Sequence, residues 1–303
     1  MNFIRQTAAF TARNIKLFFK DKGTFITSLI SPLVLLVLYI LFLDGVLKDS
    51  MTAVLDEMGG LKLAAGTMNG FVASFEVSSL IAVSGVTVAF IANMAMVDDR
   101  ITGARNDLMI APVKKSVLTL GYYFATAIVT LIICFAALAA GLIYIAASGW
   151  AMSAGDCFLA ILDTVLCVLF GTALSSIVCF FLKSRGAISA VSTIVSFIYG
   201  FICGAYYPIS QFAPSMQNIV MCLPGTYCTG LLRTHFMSGY LDKFIAGGLI
   251  PEQASGLFES MDGKLNFFGG EVPTWAMYLV VLGAIVALVG IFVLNNLIHV
   301  KRR

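Results

Sequence analysis

The chain has 303 residues, of which 59% are hydrophobic and only 12% are charged, with a net charge of +3 and a mean hydropathy of +0.95. A soluble domain carries about 25% charged residues, so this composition excludes an ordinary soluble protein. The charges gather between long apolar runs, a distribution typical of a polytopic membrane protein. One helical bundle accounts for the whole length, and residues 1–303 are predicted to form a single domain.

Residues 3–20 carry too many charges to cross a membrane, but on a helix they divide into an apolar face and a basic face. The basic face consists of Arg5, Arg13, Lys16 and Lys20. This pattern predicts that residues 1–23 form an amphipathic helix in the membrane interface, with its cations toward anionic headgroups. A cleaved targeting peptide is the alternative. The apolar run 23–43 is too long for that, and no A-x-A site follows it.

Six apolar segments are long enough to cross the bilayer as helices, at about 20 residues per crossing. They are 24–43, 79–97, 118–147, 158–182, 187–205 and 274–298. The segments connecting them on one side hold fourteen of the nineteen basic residues. The positive-inside rule therefore places both termini in the cytoplasm. The predicted fold class is an all-α polytopic membrane protein with six transmembrane helices.

The stretch Tyr199–Arg233 is apolar, but Pro208, Pro214 and Pro224 interrupt it. A full crossing here would give seven spans and would place the basic C-terminus outside. Residues 206–232 are therefore predicted to enter the membrane from the outer face and return, as two short helices broken near Pro214 and Pro224. Irregular backbone at membrane depth needs a protein or cavity environment, so this re-entrant segment is expected to cap or line a cavity. The alternative is a surface-lying amphipathic stretch with no gating role.

Two long connections, 44–78 and 233–273, are predicted to be extracellular loops, and both lean acidic. The second also contains apolar side chains, which favour a small folded cap over a free linker. These are Phe258, Leu265, Phe267 and Phe268.

The inner connection 98–117 begins with two acidic residues, which suit a helix N-terminus. A short helix around 103–110 is expected to end before Pro112. Such a helix projecting into the cytoplasm suits docking to a soluble partner, and the alternative is an ordinary solvated loop. The candidate docking residues are Asp98, Asp99, Arg100, Gly103, Arg105, Asp107, Leu108, Met109 and Pro112.

The sequence contains no GxxxxGK[ST] phosphate loop, no HExxH and no GxSxG. It therefore predicts no nucleotide site of the phosphate-loop type, no catalytic residue and no metal site. The seven cysteines have no metal-ligand spacing. Three of them are placed where an oxidising exterior would permit a disulfide: Cys157, Cys222 and Cys228.

Asp163 lies about six residues into the predicted fourth span. A membrane carboxylate costs roughly 2.5–3.5 kcal/mol at the bilayer centre on insertion scales, and it is a functional candidate by default. Two interpretations stay open. Asp163 either pairs with hydroxyl groups of neighbouring spans or contacts a substrate or counter-ion.

Two stretches resemble the membrane permease of an ABC-2 type ABC exporter. The inner connection is similar to that family's acid–Gly–Leu–Pro–Gly pattern, at Asp99, Gly103, Leu108, Pro112 and Gly121. The region after span five is similar to its G-x-x-x-P…P…L-x-P…Y…R pattern, at Gly204, Pro208, Pro214, Leu223, Pro224, Tyr227 and Arg233. Leu223 and Pro224 are adjacent here, and Asn106 stands where the family usually has an acid. The six spans and the interfacial helix also match.

The resemblance implies a dimer of this chain, or of this chain with a paralogue, bound to two separate ABC ATPase subunits in the cell (plasma or inner) membrane. The ATPases would hold ATP and Mg, while this chain would bind no cofactor and no nucleic acid and would contact membrane lipid. In that family the inner connection holds a coupling helix that docks on the ATPase. An amphiphilic, lipid-like or drug-like substrate is expected. The candidate residues of the substrate path and outer gate are Asp163, Tyr199, Tyr206, Tyr207, Pro208, Phe212, Pro224 and Tyr227.

Two other functions remain open at this point. One is a membrane sensor or assembly scaffold that binds an ATPase without transport, and the other is a passive channel. A channel conducts alone, whereas an exporter shows no flux without its ATPase.

Overall fold

A computed structural model describes residues 3–57, 63–110 and 114–298. The first half contains α1 (Phe3–Lys20), α2 (Lys22–Leu38), a π-helical turn (Tyr39–Leu43), α3 (Asp44–Glu57), α4 (Ala65–Ala92), α5 (Met94–Ile101), α6 (Ala104–Ile110) and α7 (Lys115–Gly149). The second half contains α8 (Ala154–Phe181), α9 (Arg185–Ile202), a 3₁₀ turn (Ile209–Gln211), α10 (Pro214–Val220), α11 (Pro224–Met237), α12 (Tyr240–Ala246), α13 (Pro251–Ser260), β1 (Asn266–Phe267), β2 (Gly270–Glu271) and α14 (Thr274–Ile298). The two strands form one antiparallel hairpin.

Six helical segments in the described ranges are long and apolar enough to cross a membrane, and this confirms the predicted number of spans. They are Lys22–Asp56, Ala65–Ile101, Ser116–Gly149, Ala154–Phe181, Arg185–Ile202 and Thr274–Asn296. The cytoplasmic location of the termini stays a prediction, and the basic C-terminal residues 299–303 lie outside the described ranges.

The first two spans are much longer than hydropathy indicated. Residues 44–57 and 65–78, predicted as an extracellular loop, are helical continuations of α2 and α4. In α3 the side chains of Leu47, Met51 and Leu55 recur every four residues and are buried. This spacing places an apolar stripe on one helix face, beside which the half-buried Asp44 and Lys48 pair with each other.

Helix α4 is the centre of the bundle. Every residue from Gly70 to Phe90 is buried, and α4 packs against α2, α7, α8, α9 and α11. A helix surrounded on all sides needs apolar or small residues over its whole circumference, and α4 supplies them. Even Glu76 is only 3% exposed and accepts a hydrogen bond of 3.2 Å from the hydroxyl of Tyr144.

The apolar residues of the segment 233–273 predicted a small folded cap, and residues 238–273 form one, while residues 233–237 belong to α11. Helices α12 and α13 and the hairpin bury Phe244, Leu257 and Phe258 in the main core. Phe268, by contrast, lies at the hairpin tip and is exposed. Both tryptophans of the chain lie at span ends, Trp150 after α7 and Trp275 at the start of α14. Because spans alternate in direction, these ends share one side, where exposed tryptophans suit a membrane interface.

The closest approach of α4 to α8 depends on Gly85 and Gly171. A Cβ atom built on Gly171 would lie 2.4 Å from the carbonyl oxygen of Gly85. Such contact with backbone cannot be relieved by turning a side chain, so the two helices would have to separate.

Substitution Gly171→Ala is therefore expected to destabilise the protein by about 1–3 kcal/mol. Gly283→Ala in α14 is the matched control, because a Cβ there meets nothing within 4 Å. It is expected to be neutral or to stabilise by up to about 1 kcal/mol. Thermal unfolding of both variants in the same detergent measures the difference, and equal unfolding midpoints would refute this account of the helix crossing.

Candidate functional site

Helix α5 ties the N-terminal helix to the bundle through Asp99. Arg13 of α1 donates to both carboxylate oxygens of Asp99, at 2.7 Å and 3.2 Å, and the hydroxyl of Tyr122 on α7 donates at 2.7 Å. The hydrogen bond to Asp99 raises the pKa of Arg13, so the guanidinium stays charged. Phe10 of α1 packs edge-on against Tyr122, with ring centroids 4.9 Å apart. Three helices therefore meet at one carboxylate.

The neighbours of Asp99 connect α5 to two further elements. Asp98 accepts a hydrogen bond of 2.6 Å from Arg185 at the start of α9. Arg100 donates to the carbonyl oxygens of Phe180 and Leu182 at the end of α8, at 2.7 Å and 3.0 Å. We call Asp98, Asp99 and Arg100 the α5 hub.

Helix α6 begins where the predicted docking helix was expected. Gly103 has φ +82°, a left-handed conformation that glycine adopts without strain, and it turns the chain from α5 into α6. Arg105 reaches the side-chain oxygen of Asn296 in α14, at 3.3 Å. Asp107 is exposed and Ile110 is 84% exposed, so no residue in the described ranges covers this face of α6.

The joint between α4 and α5 is held by Asn93. Its amide nitrogen donates to Ser175 and Ser176 of α8 at 2.6 Å and 3.1 Å, and its oxygen accepts from Thr126 of α7 at 3.0 Å. The buried helix α4 thus continues into the α5 hub through a fixed corner.

Near the middle of α4, Arg233 of α11 is 1% exposed and lies at the centre of a second polar cluster. Its guanidinium donates to Asp262 at 2.5 Å, to Ser79 at 3.1 Å and to the carbonyl oxygen of Gly204. It also lies 4.1 Å from the ring centroid of Phe75. This arrangement connects α4, α11, the turn after α9 and the cap.

Asp262 completes that cluster from the cap. Its carboxylate accepts from the backbone N–H groups of Ile209 and Ser210, at 2.6 Å and 2.8 Å. Burial raises the pKa of Asp262, while Arg233 and the two N–H groups oppose that shift. We call Arg233 and Asp262 the outer ion pair. It fixes the turn that leads from α9 to α10.

A groove of about 1160 Å³ runs between α2–α3 and α9. Asp21 and Thr24 lie at one end and Tyr206 and Tyr207 at the other. The wall between them is mostly aliphatic and aromatic, and Phe197 contributes to it from α9.

The model of one protein family, described as ABC-2 type transporter, matches residues 5–237, from α1 through the end of α11. The chain belongs to the ABC-2 type transporter family. Comparison with curated proteins gives no match.

As an ABC-2 family member, the chain is a multi-pass membrane protein and a permease component of an ABC transporter. The family's membrane domain lacks a nucleotide-binding site and typically works with an ABC ATPase. The matched range includes the α5 hub, α6 and both walls of the groove.

The structure brings most predicted docking residues of this permease together. Asp98, Asp99, Arg100 and Arg105 bond to other helices, while Asp107 faces solvent. Leu108 is half-buried against the core. Pro112 and the side chain of Met109 lie outside the described part of the structure.

The predicted path residues of the permease divide into two groups. Tyr206 and Tyr207 line the groove, and Phe212 stacks on Tyr207 with ring centroids 6.3 Å apart. Tyr199 and Tyr227 are buried, and their hydroxyls donate to the backbone oxygens of Gly225 and Met221. Pro208 precedes the 3₁₀ turn and Pro224 begins α11. Pro214 likewise begins α10, so the prolines start the two short helices that the sequence predicted.

Asp163 does not line the groove. It is 1% exposed, accepts a hydrogen bond of 2.7 Å from the hydroxyl of Tyr278 on α14, and lies 2.5 Å from Nδ1 of His235 on α11. A hydroxyl partner on a neighbouring span is present, as one of the two interpretations of Asp163 expected. The histidine partner was missed because His235 falls in the segment interpreted as an outer loop. The outer ion pair was also missed, because nothing in the sequence connects Arg233 to Asp262.

The described residues contain no group of three His, Cys, Asp or Glu side chains that could hold a metal ion. The cysteines of the described chain are free thiols; Cys228 is buried, Cys157 is half-buried and Cys222 is exposed.

The outer ion pair predicts a large effect of removing one partner. Arg233→Met leaves the Asp262 carboxylate buried without its cation, and breaking such a pair costs about 3–5 kcal/mol. Lys264→Met is the control, because the exposed pair Lys264–Glu271 contributes about 0–1 kcal/mol. Thermal unfolding in detergent measures both. The double variant Arg233→Met/Asp262→Asn should recover part of the loss, because Asn removes the buried charge and keeps an acceptor oxygen for the N–H groups of Ile209 and Ser210. Failure of Arg233→Met to destabilise more than Lys264→Met would contradict the role given to this pair.

Proposed function

We propose that this permease is the membrane subunit of an ATP-driven exporter, which moves an amphiphilic substrate outward along the groove between α2–α3 and α9. A separate ABC ATPase supplies the energy and holds ATP and Mg. Two permease copies, identical or paralogous, form the assembly with two ATPases.

The α5 hub is the observation that carries this proposal. Helix α6 presents an exposed face to a partner, and only Thr102 and Gly103 separate it from α5. The hub bonds directly to α1, to α7, to the end of α8 and to the start of α9. A displacement of α6 by the ATPase is therefore applied to several spans at once.

One of these connections leads to the groove. Arg185, bound to Asp98, is the first residue of α9, and α9 forms one wall of the groove. A shift of α5 would therefore move that wall relative to α2. Helix α1, held through Arg13, leads into α2 after a single intervening residue, Asp21, so the opposite wall is connected to the same hub.

The outer end of the groove supports a gating role for the turn after α9. Tyr206 and Tyr207 lie there, and the outer ion pair holds the adjacent 3₁₀ turn. Tyr39 also donates to the backbone oxygen of Ala205, at 2.5 Å, from the π-helical turn at the end of α2. Widening this end requires movement of the segment that these contacts hold, which suits a gate that opens only under force.

The proposal is tested with Ile110→Asp in the complex of the permease with its ATPase. A charge on the exposed face of α6 should reduce ATPase retention about tenfold, as for a central interface residue. ATP-dependent efflux of a fluorescent amphiphile from proteoliposomes should fall in parallel. Ile250→Asp is the control, because it alters an exposed isoleucine of the cap and should change neither quantity.

The other functions give different results in the same experiment. Normal ATPase retention and efflux in Ile110→Asp would overturn the docking role of α6. A scaffold would bind the ATPase through α6 but show no ATP-dependent efflux. A channel would pass substrate without ATP and without the ATPase.

A further inference from the structure

The end of the groove near Asp21 differs from the rest of the groove because hydroxyl groups line it. Thr24 and Thr27 contribute from α2, and Ser192, Thr193 and Ser196 from α9. A hydroxyl group on an apolar wall costs free energy when it lacks a hydrogen-bond partner. The hydrogen bonds that these hydroxyls make therefore indicate what kind of ligand the groove accepts.

Most of these hydroxyl protons are already used within the chain. Thr193 donates to the carbonyl oxygen of Ser189 at 2.9 Å, Ser196 to that of Ser192 at 2.6 Å, and Thr27 to that of Gly23 at 2.8 Å. Their oxygens keep free lone pairs, so this end of the groove offers acceptors rather than donors.

Ser192 is the exception that points to a ligand. It lines the groove and is only 8% exposed, yet its Oγ has no hydrogen-bond partner within the described structure. A buried hydroxyl without a partner costs about 1–3 kcal/mol, a cost that a bound polar group would remove.

The charges give the sign of that group. Among the described residues that line the groove, none is basic, and the one charged side chain is Asp21. Arg185 lies at the start of α9, but it is bound to Asp98 and does not line the groove. An anionic head group would enter an apolar groove without a cation to pair with, which is strongly unfavourable.

We infer that the substrate is an amphiphile whose head group donates hydrogen bonds and carries no negative charge, such as a hydroxyl-rich or ammonium head. The head lies against Ser192 and the acceptor hydroxyls, and the apolar body extends toward Phe201, Tyr206 and Tyr207. This inference rests on the proposed function and specifies its substrate class.

The test uses three photoreactive probes with the same twelve-carbon chain: dodecyl glucoside, dodecylamine and dodecanoate. The permease is photolabelled in nanodiscs with and without excess unlabelled dodecyl glucoside, and labelled peptides are mapped by mass spectrometry. Displaceable labelling of α2 and α9 by the glucoside and amine probes is expected to exceed that by dodecanoate about 30-fold or more.

Ser192→Ala should reduce glucoside labelling about three- to tenfold, since one hydrogen bond is lost. Ser148→Ala is the control, because Ser148 bonds within α7 and does not line the groove. Equal labelling by dodecanoate, or unchanged labelling in Ser192→Ala, would overturn the inference. If a second permease copy fills the groove, Ser192→Ala will change the proportion of dimer and leave labelling unchanged. That result would also overturn the inference.

Efflux of the same three compounds by the permease–ATPase complex separates this inference from the proposed function. ATP-dependent efflux of dodecanoate alone would refute the substrate class and leave the exporter intact. No ATP-dependent efflux of any probe would refute the exporter itself, even where labelling follows the expected order.

Discussion

The complete burial of α4 is the constraint on which the rest of the structure depends. A helix with no solvent-facing or lipid-facing side over five turns cannot shift without moving its neighbours, because protein interiors are close-packed. Its small residues permit contact with α8 at Gly85 and Gly171. One polar cluster follows its C-terminal end and another contacts its middle at Ser79, and these clusters hold the other elements in place.

These two clusters differ in strength because their surroundings differ. The outer ion pair is buried, with side chains 1% and 2% exposed, whereas the side chains of Arg13 and Asp99 are 34% and 13% exposed. Solvent screens charges at the more accessible site, and exposed pairs contribute about 0–1 kcal/mol. The outer pair therefore holds the turn after α9 against the cap more firmly, which suits a gate that opens only under force. The α5 hub suits a contact that can rearrange when a partner moves α6.

Much of the architecture is predictable from the sequence, because the bilayer imposes strong rules on composition. Apolar runs of about 20 residues give the six spans, and prolines mark the starts of α10 and α11. The same rule hides α3, where charged residues such as Asp44 and Lys48 lower the hydropathy of a helix that buries Leu47, Met51 and Leu55. Those two residues form an i,i+4 ion pair at 2.7 Å.

The candidate site was less predictable because it depends on residues that are distant in the chain. The short helix α6 follows from local signals, namely two acidic residues, a glycine and a proline. The partners of Asp99, Asp163 and Arg233 lie 23 to 154 residues away, and no local pattern indicates them. Likewise, the hydroxyl oxygens near Ser192 line one groove only because α2 and α9 lie side by side, and the sequence does not indicate that arrangement.

In the proposed mechanism the ATPase, acting through α6 and the α5 hub, changes the width of the groove. The most direct measurement is the distance between spin labels at Val46 and Phe197 on opposite walls, with Cys157 and Cys222 replaced by serine. In the ATPase complex, ATP should shift this distance distribution, and Asp99→Asn should reduce the shift. An unchanged distance during continued ATP-dependent transport would contradict the claim.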